Sequence, residues 1–384
     1  VRHFDHLAED VRQRLFHIEP QHFDASSGVE ILSLALGATL YIPGVRDDLE
    51  NAIRRRVAKG VRSMVIDLED AVEDARVEDA LGLAVDALRE LARNPVDAML
   101  FVRVRTADHI REVSARLNGQ ITALTGFVLP KFSPWTGEEF LEAIIDASEI
   151  SGHPMFAMPV LETPEVIYRE SRDAVLTGIR ELLNRYREMI LAVRIGATDL
   201  SGLFGIRRDR DLIIYDVRVV ADLISDMVNH LGRPDGTGFT ITGPVWEYFA
   251  NHERLFRPQL RATPFGDADE LRLRQRLVLR DLDGLIREVT LDRANGLQGK
   301  TVIHPTHVPA VHALSVVSHE EFTDAMDVLE IGGSGVRASG YRNKMNELGP
   351  HRRWAERIML QAGVYGVAGE DVSFVELLAA LAEM

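Results

Sequence analysis

The chain contains no cysteine among its 384 residues. That excludes disulfides, thiolate metal ligands and a cysteine nucleophile. Long hydrophobic runs are missing as well: no stretch approaches the ~18 apolar residues of a membrane span. Residues Val1 to Pro20 carry acids throughout and have no apolar centre, so no secretory signal is expected there. Positive charge is in deficit, with 44 Lys and Arg against 59 Asp and Glu and a net charge of -15. This argues against nucleic acid or an anionic membrane as partner. Small anionic substrates respond to local charge and stay open. No internal repeat or low-complexity segment is visible. A soluble cytoplasmic protein of enzyme size is expected.

What is present is an alternation. Short apolar runs are predicted as strands at Thr39–Ile42, Met64–Leu68, Met99–Val104, Gly126–Leu129, Met155–Leu161, Ile190–Gly196, Gly238–Thr242 and Thr301–Ile303. Amphipathic stretches lie between them, such as Asp47–Ala58, Glu78–Ala92, Glu138–Ser151, Pro164–Arg187 and Val217–Leu231. Eight such units fit a (β/α)8 barrel of the TIM type. The rival, a doubly wound open sheet, lacks its Gly-rich phosphate turn after the first strand. The expected layout is a helical N-terminal extension (1–37, with one helix from Val1 to Ile18), the barrel (38–310) and a C-terminal helical tail (311–384). An arginine-rich insert, 253–280, precedes the last barrel helix, and its Arg272, Arg274 and Arg276 are expected to meet phosphate or to form a solvated helix face.

The strand endings carry the functional signal. Pro43-Gly44 follows the first, Glu69-Asp70 the second, Arg103 and Arg105 the third, Lys131 the fourth, Glu162 the fifth, Thr198-Asp199 the sixth and His304-Pro305 the eighth. Function in such barrels sits where strands end. Glu162 and Asp199, from neighbouring strands, suit Mg²⁺, which takes one or two carboxylates and fills its octahedron with water and substrate oxygens. Glu69 and Asp70 would hold metal-bound waters. Arg103, Arg105 and Lys131 supply positive charge, and arginine suits a bidentate grip on carboxylate. The combination fits a 2-oxo acid whose chelated carbonyl becomes an electron sink for the adjacent C–C bond. Each residue also has an ordinary alternative: Glu162 as a first-turn helix acid, Asp199 as an N-cap, Lys131 and Arg105 as salt-bridge partners, His304 as a packed histidine.

The segments Leu40-Tyr41-Ile42-Pro43-Gly44, Ile66-Asp67-Leu68-Glu69-Asp70-Ala71-Val72, Val102-Arg103-Val104, Leu129-Pro130-Lys131, Leu161-Glu162-Thr163, Gly196-Ala197-Thr198-Asp199-Leu200 and Gly299-Lys300-Thr301-Val302-Ile303-His304-Pro305 occur in one order along the barrel. As a set they resemble the citrate lyase β-subunit-like aldolases, which include malyl-CoA lyases, and more distantly the HpcH/HpaI aldolases. The resemblance implies a Mg²⁺-dependent C–C bond lyase. Glu162 and Asp199 match its metal ligands and Arg103 its substrate-carboxylate arginine, with Glu69, Asp70 and Lys131 as further catalytic candidates. Pro43, Gly44, Arg105 and Thr198 would lie beside the substrate. Asp70 stands where the HpcH/HpaI branch has a histidine, and Arg105 where an asparagine is usual. With the insert, these departures make the chain similar to a divergent branch associated with tellurium-resistance and stress gene clusters. The tail segment Lys344-Met345-Asn346-Glu347-Leu348-Gly349-Pro350-His351 resembles one in which an acid completes a neighbouring subunit's site, which implies a homo-oligomer, trimer or hexamer; the acid's place falls on Asn346 or on Glu347, which could serve as general acid or base, and the alternative is that the segment simply starts the final helix with Pro350 in its first turn. The expected partner is a small oxo or hydroxy acid, free or on CoA or a phosphate-bearing acyl carrier. A phosphoenolpyruvate-type barrel enzyme and a retired lyase serving as an assembly subunit are the alternatives.

Overall fold

The structure is a computed structural model that describes residues 1–118, 121–249, 282–330 and 335–382. The arginine-rich insert, with the phosphate-binding role expected of Arg272, Arg274 and Arg276, lies outside the described residues.

Eight parallel strands form the barrel: β1 Ala38–Pro43, β2 Ser63–Asp67, β3 Met99–Arg103, β4 Gly126–Leu129, β5 Phe156–Leu161, β6 Arg194–Ile195, β7 Thr242–Gly243 and β8 Gln298–Val302. Their order around the sheet is β6-β5-β4-β3-β2-β1-β8-β7. The seam between β6 and β7 is joined by the parallel bridge Val193↔Ile241, with Val193 N–H donating to Thr240 O at 2.8 Å and Thr242 N–H to Val193 O at 2.9 Å. Strands of a parallel barrel are covered on both faces and read as continuous apolar runs; all five residues of β2 are buried. Register fixes the rim: Pro43 pairs with Asp67, and Asp67 pairs with Arg103. The endings of three strands therefore come level with one another.

Helices cover the barrel through one apolar stripe each. In Val77–Arg93 the buried residues include Ala80, Leu81, Ala84, Val85, Leu88 and Leu91, the spacing of a single helical face. The expected helix Pro164–Arg187 is broken at Tyr168, whose ψ of 130° is extended, into Pro164–Ile167 and Arg169–Arg185. The predicted sixth strand shrinks from Ile190–Gly196 to a ladder at Arg194–Ile195, with an isolated bridge at Ile190.

The N-terminal segment departs most from expectation. Between Val1 and Ile18 helix is confined to Glu9–Leu15, with a second helix only at Val29–Ala35, and Phe16–Ile18 form a strand antiparallel to Val367–Ala368 in the tail. Pro20 cannot extend a helix and restricts the residue before it, and the partner strand comes from the far end of the sequence. Further bonds complete this clasp: Gly369 N–H donates to Leu15 O at 2.9 Å, Gln21 N–H to Gly363 O at 2.8 Å and Tyr365 O–H to Leu34 O at 2.8 Å. The tail itself holds helices His319–Glu330, Leu348–Tyr365 and Phe374–Ala382, and a hairpin of Val336–Ala338 against Met345–Glu347. Val317, Ala325, Val328, Leu348, Ala355, Ile358, Ala362 and Val367 give it a small core of its own. Among the described residues no helix is long and apolar enough to cross a membrane.

Candidate active site

The site is built on Asp67, the last residue of β2. Arg103, opposite it on β3, closes a two-pronged ion pair: Nε donates to Asp67 Oδ1 at 2.7 Å and Nη2 to Oδ2 at 2.6 Å. The same carboxylate accepts the backbone N–H of Glu69 at 3.0 Å and of Ala71 at 3.3 Å, so it shapes the loop that follows. Nη1 of Arg103 turns outward to Asp70 Oδ2 and Glu69 Oε2, each at 3.0 Å. The fork expected to receive a substrate carboxylate is therefore held by Asp67, leaving Nη1 as the prong on the rim. Arg105 is spent differently. β3 ends at Arg103, so strand alternation does not carry Arg105 into the barrel; it reaches back to the carbonyls of Leu68 (3.0 Å), Glu69 (3.1 Å) and Val72 and to the Asp74 carboxylate. It laces the loop after β2.

The other side of the rim is acidic. Glu162 follows β5, is buried, and accepts the Lys131 N–H on Oε1 at 2.8 Å. Lys131 has a left-handed backbone, φ 50°, a conformation uncommon outside glycine and found disproportionately at functional sites. The Lys131 ammonium pairs with Glu69 Oε1. Asp199 stands in the first turn of the short helix Ala197–Gly202 and faces Glu162. Burial pushes Glu162 up to about 8; the Lys131 N–H opposes this, and the carboxylates of Asp199 and Glu69 add to it. Glu69 is raised too, by burial first, against the pull of Lys131 and Arg103. Gly196 is what admits this glutamate: a Cβ there would lie 2.2 Å from Glu162 Oε2 and 2.4 Å from its Cβ.

The structure thus brings Glu69, Asp70, Arg103, Lys131, Glu162 and Asp199 to one mouth. Gly44 joins them through its N–H to Asp67 O at 2.9 Å, with exposed Pro43 beside it, and Thr198 Oγ1 donates to Glu247 Oε1 at 2.9 Å. A cavity of about 580 Å³ opens outward from Glu69 and Lys131, bounded by Asp74, Arg105, Thr136 and Phe140. Glu347 is elsewhere, exposed at the end of the tail hairpin, its backbone N–H bonded to His351 Nδ1 at 3.1 Å. Its neighbour Asn346 is buried against Asp324 Oδ1 at 3.0 Å. His304 is half-buried, stacked on Phe249 with ring centroids 4.5 Å apart and bonded through Nδ1 to Thr306 Oγ1 at 2.7 Å. Two residues without an expected role line the barrel interior below the mouth: Tyr41 of β1 and Arg194 of β6. Arg194 had a signal in the sequence, a lone cation inside the apolar run Leu191-Ala192-Val193-Arg194-Ile195.

No group of three or more His, Asp or Glu residues arranged to hold a metal occurs among the described residues. Mg²⁺ does not need one, since one or two carboxylates and water suffice. The donor set fits: Glu162 and Asp199 are hard oxygen ligands side by side. Burial first, and the neighbouring carboxylates after it, keep Glu162 protonated, a cost that a divalent cation would offset. Glu69 Oε2 is buried with an ion-pair contact but no well-directed hydrogen bond, free to hold a water.

The family model described as C–C bond lyase of the TIM-barrel fold matches residues 30–367. No curated protein sequence matches the chain. Among solved structures, CitE from Mycobacterium tuberculosis, in complex with magnesium, acetoacetate and coenzyme A, is 20% identical with a TM-score of 0.52, covering 88% of this chain and 100% of that one. A citrate lyase from Burkholderia xenovorans LB400 is 16% identical with a TM-score of 0.61, over 90% and 95% of the two chains. Haloferax volcanii malate synthase in its magnesium/glyoxylate complex is 13% identical with a TM-score of 0.51, over 71% and 73%. At these identities the likeness is one of fold.

Proposed function

Since the chain belongs to the C–C bond lyases of the TIM-barrel fold, we propose that it makes or breaks the C–C bond beside the carbonyl of a small oxo or hydroxy acid, with Mg²⁺ held by Glu162 and Asp199. One observation carries the reading: a buried glutamate faces a second carboxylate at the mouth of the barrel, seated against a glycine whose place any Cβ could take only by displacing it. The magnesium in the CitE and malate synthase complexes supports it.

When bound, Mg²⁺ polarises the substrate carbonyl as a Lewis acid, so that electrons of the cleaved bond have somewhere to go. Glu162 and Asp199 would hold the metal, and Glu69, tied to Lys131 and Arg103, positions water beside them. Arg103 offers Nη1 to the substrate carboxylate in exchange for exposed Asp70, a single charge-assisted contact in place of a fork. The pair with Asp67 keeps that guanidinium aimed. In the cleavage direction a base takes the hydroxyl proton, the C–C electrons pass to the carbonyl, and the carbon left behind is reprotonated. We assign the proton transfer to Glu347 of a neighbouring copy, since Glu347 stands on an exposed hairpin of the tail. An acyl portion on CoA or a phosphate-bearing carrier would leave through the cavity beside Lys131.

The test is calorimetry and co-crystallisation of the full chain with Mg²⁺ and pyruvate, glyoxylate or oxaloacetate, with and without CoA thioesters. Metal-dependent binding of at least one 2-oxo acid, lost in Glu162→Gln, is expected. Normal Mg²⁺ affinity in Glu162→Gln would remove the proposal.

A further inference from the structure

Arg194 is an anomaly of charge. It is 1% exposed, inside the barrel. Nη2 donates to Thr301 Oγ1 at 2.6 Å, Nη1 lies 3.5 Å from Met158 Sδ, and Nε has no hydrogen-bond partner. None of these is a carboxylate. The rim's other cations are matched: Arg103 to Asp67, Arg105 to Asp74, Lys131 to Glu69. A buried cation without an anion is costly to keep, and an apolar side chain of similar volume would serve the fold better.

What Arg194 does touch is Tyr41. Its guanidinium lies over the Tyr41 ring, 5.5 Å from the centroid, with Arg103 at 5.2 Å from the same ring. Tyr41 is only partly buried and its hydroxyl faces Asp67 and Glu162. Arginine donates hydrogen bonds and cannot accept one. A phenol flanked by two guanidiniums must therefore send its hydrogen elsewhere. Asp67 is already full, each of its oxygens taking an Arg103 nitrogen and a backbone N–H. The directions left are the second oxygen of Glu162, itself at the mouth, and the open mouth of the barrel.

We infer that Tyr41 donates its O–H to the substrate oxygen that gains negative charge, and that Arg194 is the positioning residue that aims this O–H. The inference rests on the oxo-acid reading above. A preorganised donor of this kind stabilises charge where it develops, without reorientation during the reaction. The buried cation also strengthens the donor it touches, and stability is given up for that.

The probe is Mg²⁺ with oxalate, a planar dianion shaped like the charged form of a small 2-oxo acid, titrated by calorimetry into the full chain. Tyr41→Phe should leave Mg²⁺ affinity within about twofold and weaken oxalate by about 10- to 100-fold, the loss of one hydrogen bond to a charged acceptor. Arg194→Met should weaken oxalate similarly, and the double variant should be little worse than either, because the two act as one unit. Thermal melting of the metal-free protein separates positioning from structure: Arg194→Met should melt no lower than the unaltered chain. Unchanged oxalate affinity in Tyr41→Phe overturns the inference, as does Arg194→Met melting lower while binding oxalate normally. If Arg194→Met does not fold, Tyr41→Phe decides alone. An unaltered chain that binds no oxalate with Mg²⁺ sinks the oxo-acid reading together with this one, an outcome distinct from normal binding that Tyr41→Phe fails to disturb.

Discussion

A carboxyl group that keeps its proton to about pH 8 behaves differently from one that loses it near 4.5, and Glu162 is of the first kind. Between those two values the folded chain holds a proton that the unfolded chain has released. Folding is therefore most favoured at the acid end of the window, and the Glu162 contribution is lost as pH rises through about 8, by up to about 1.4 kcal/mol per pH unit. Chemical denaturation of the metal-free protein should show this decline, and Glu162→Gln should flatten it. Saturating Mg²⁺ should cancel it too, and apparent Mg²⁺ affinity should climb about tenfold per pH unit below 8, as metal displaces one proton. A decline of the same slope in Glu162→Gln would assign it to another buried acid. Arg103 is the second residue with a measurable consequence. Lysine keeps the charge but not the fork on Asp67, so Arg103→Lys should destabilise the fold by roughly 1.5–3 kcal/mol, the worth of a charged hydrogen bond. Urea unfolding at neutral pH checks it.

Placement of these residues depends on elements too short to be recognised by pattern alone. The helix Ala197–Gly202 has six residues and β6 has a two-residue ladder, yet between them they deliver Asp199. Gly196 at their junction has an ordinary φ of -85°, so alanine there would meet no backbone strain, only Glu162. Gly196→Ala should therefore push Glu162 aside, lower stability by about 1–3 kcal/mol as overpacking does and cost about 10- to 100-fold in Mg²⁺ affinity; calorimetry on the folded variant decides. The loop after β2 is held by Arg105, whose replacement by Asn should raise amide exchange across residues 68–74 without disturbing the strands. Exchange unchanged there would mean that the Asp67 backbone bonds suffice. The barrel was legible because parallel strands are apolar throughout and their endings are not: Glu69, Arg103, Lys131 and Glu162 interrupt runs that β2 to β5 otherwise keep unbroken. Arg105 was misplaced in expectation because two-residue alternation says nothing about where a strand stops. Tyr41 and Arg194 were passed over because their meaning lies in each other, across the barrel, and no spacing along the chain records it.

As a whole molecule, the chain places Glu347, proposed above for the proton transfer, on the tail and outside its own mouth. If Glu347 serves a neighbouring copy, inactive Glu162→Gln and Glu347→Gln protomers should regain activity when mixed, because some sites then hold both acids. Recovery toward about one quarter of full activity is expected from random mixing in which each site draws on two protomers. None in verified mixed oligomers would confine catalysis to the single chain. The clasp between Phe16–Ile18 and Val367–Ala368 has a consequence of another sort, in time. About 350 residues separate the two strands, and a ribosome adding ~5–20 residues per second takes roughly 20–70 s to supply the second after the first. Throughout that interval the segment Phe16-His17-Ile18 waits with its backbone unpaired, an open edge on every nascent chain, and a polysome carries many such edges side by side. Only when Val367 and Ala368 have been made does this edge go out of circulation.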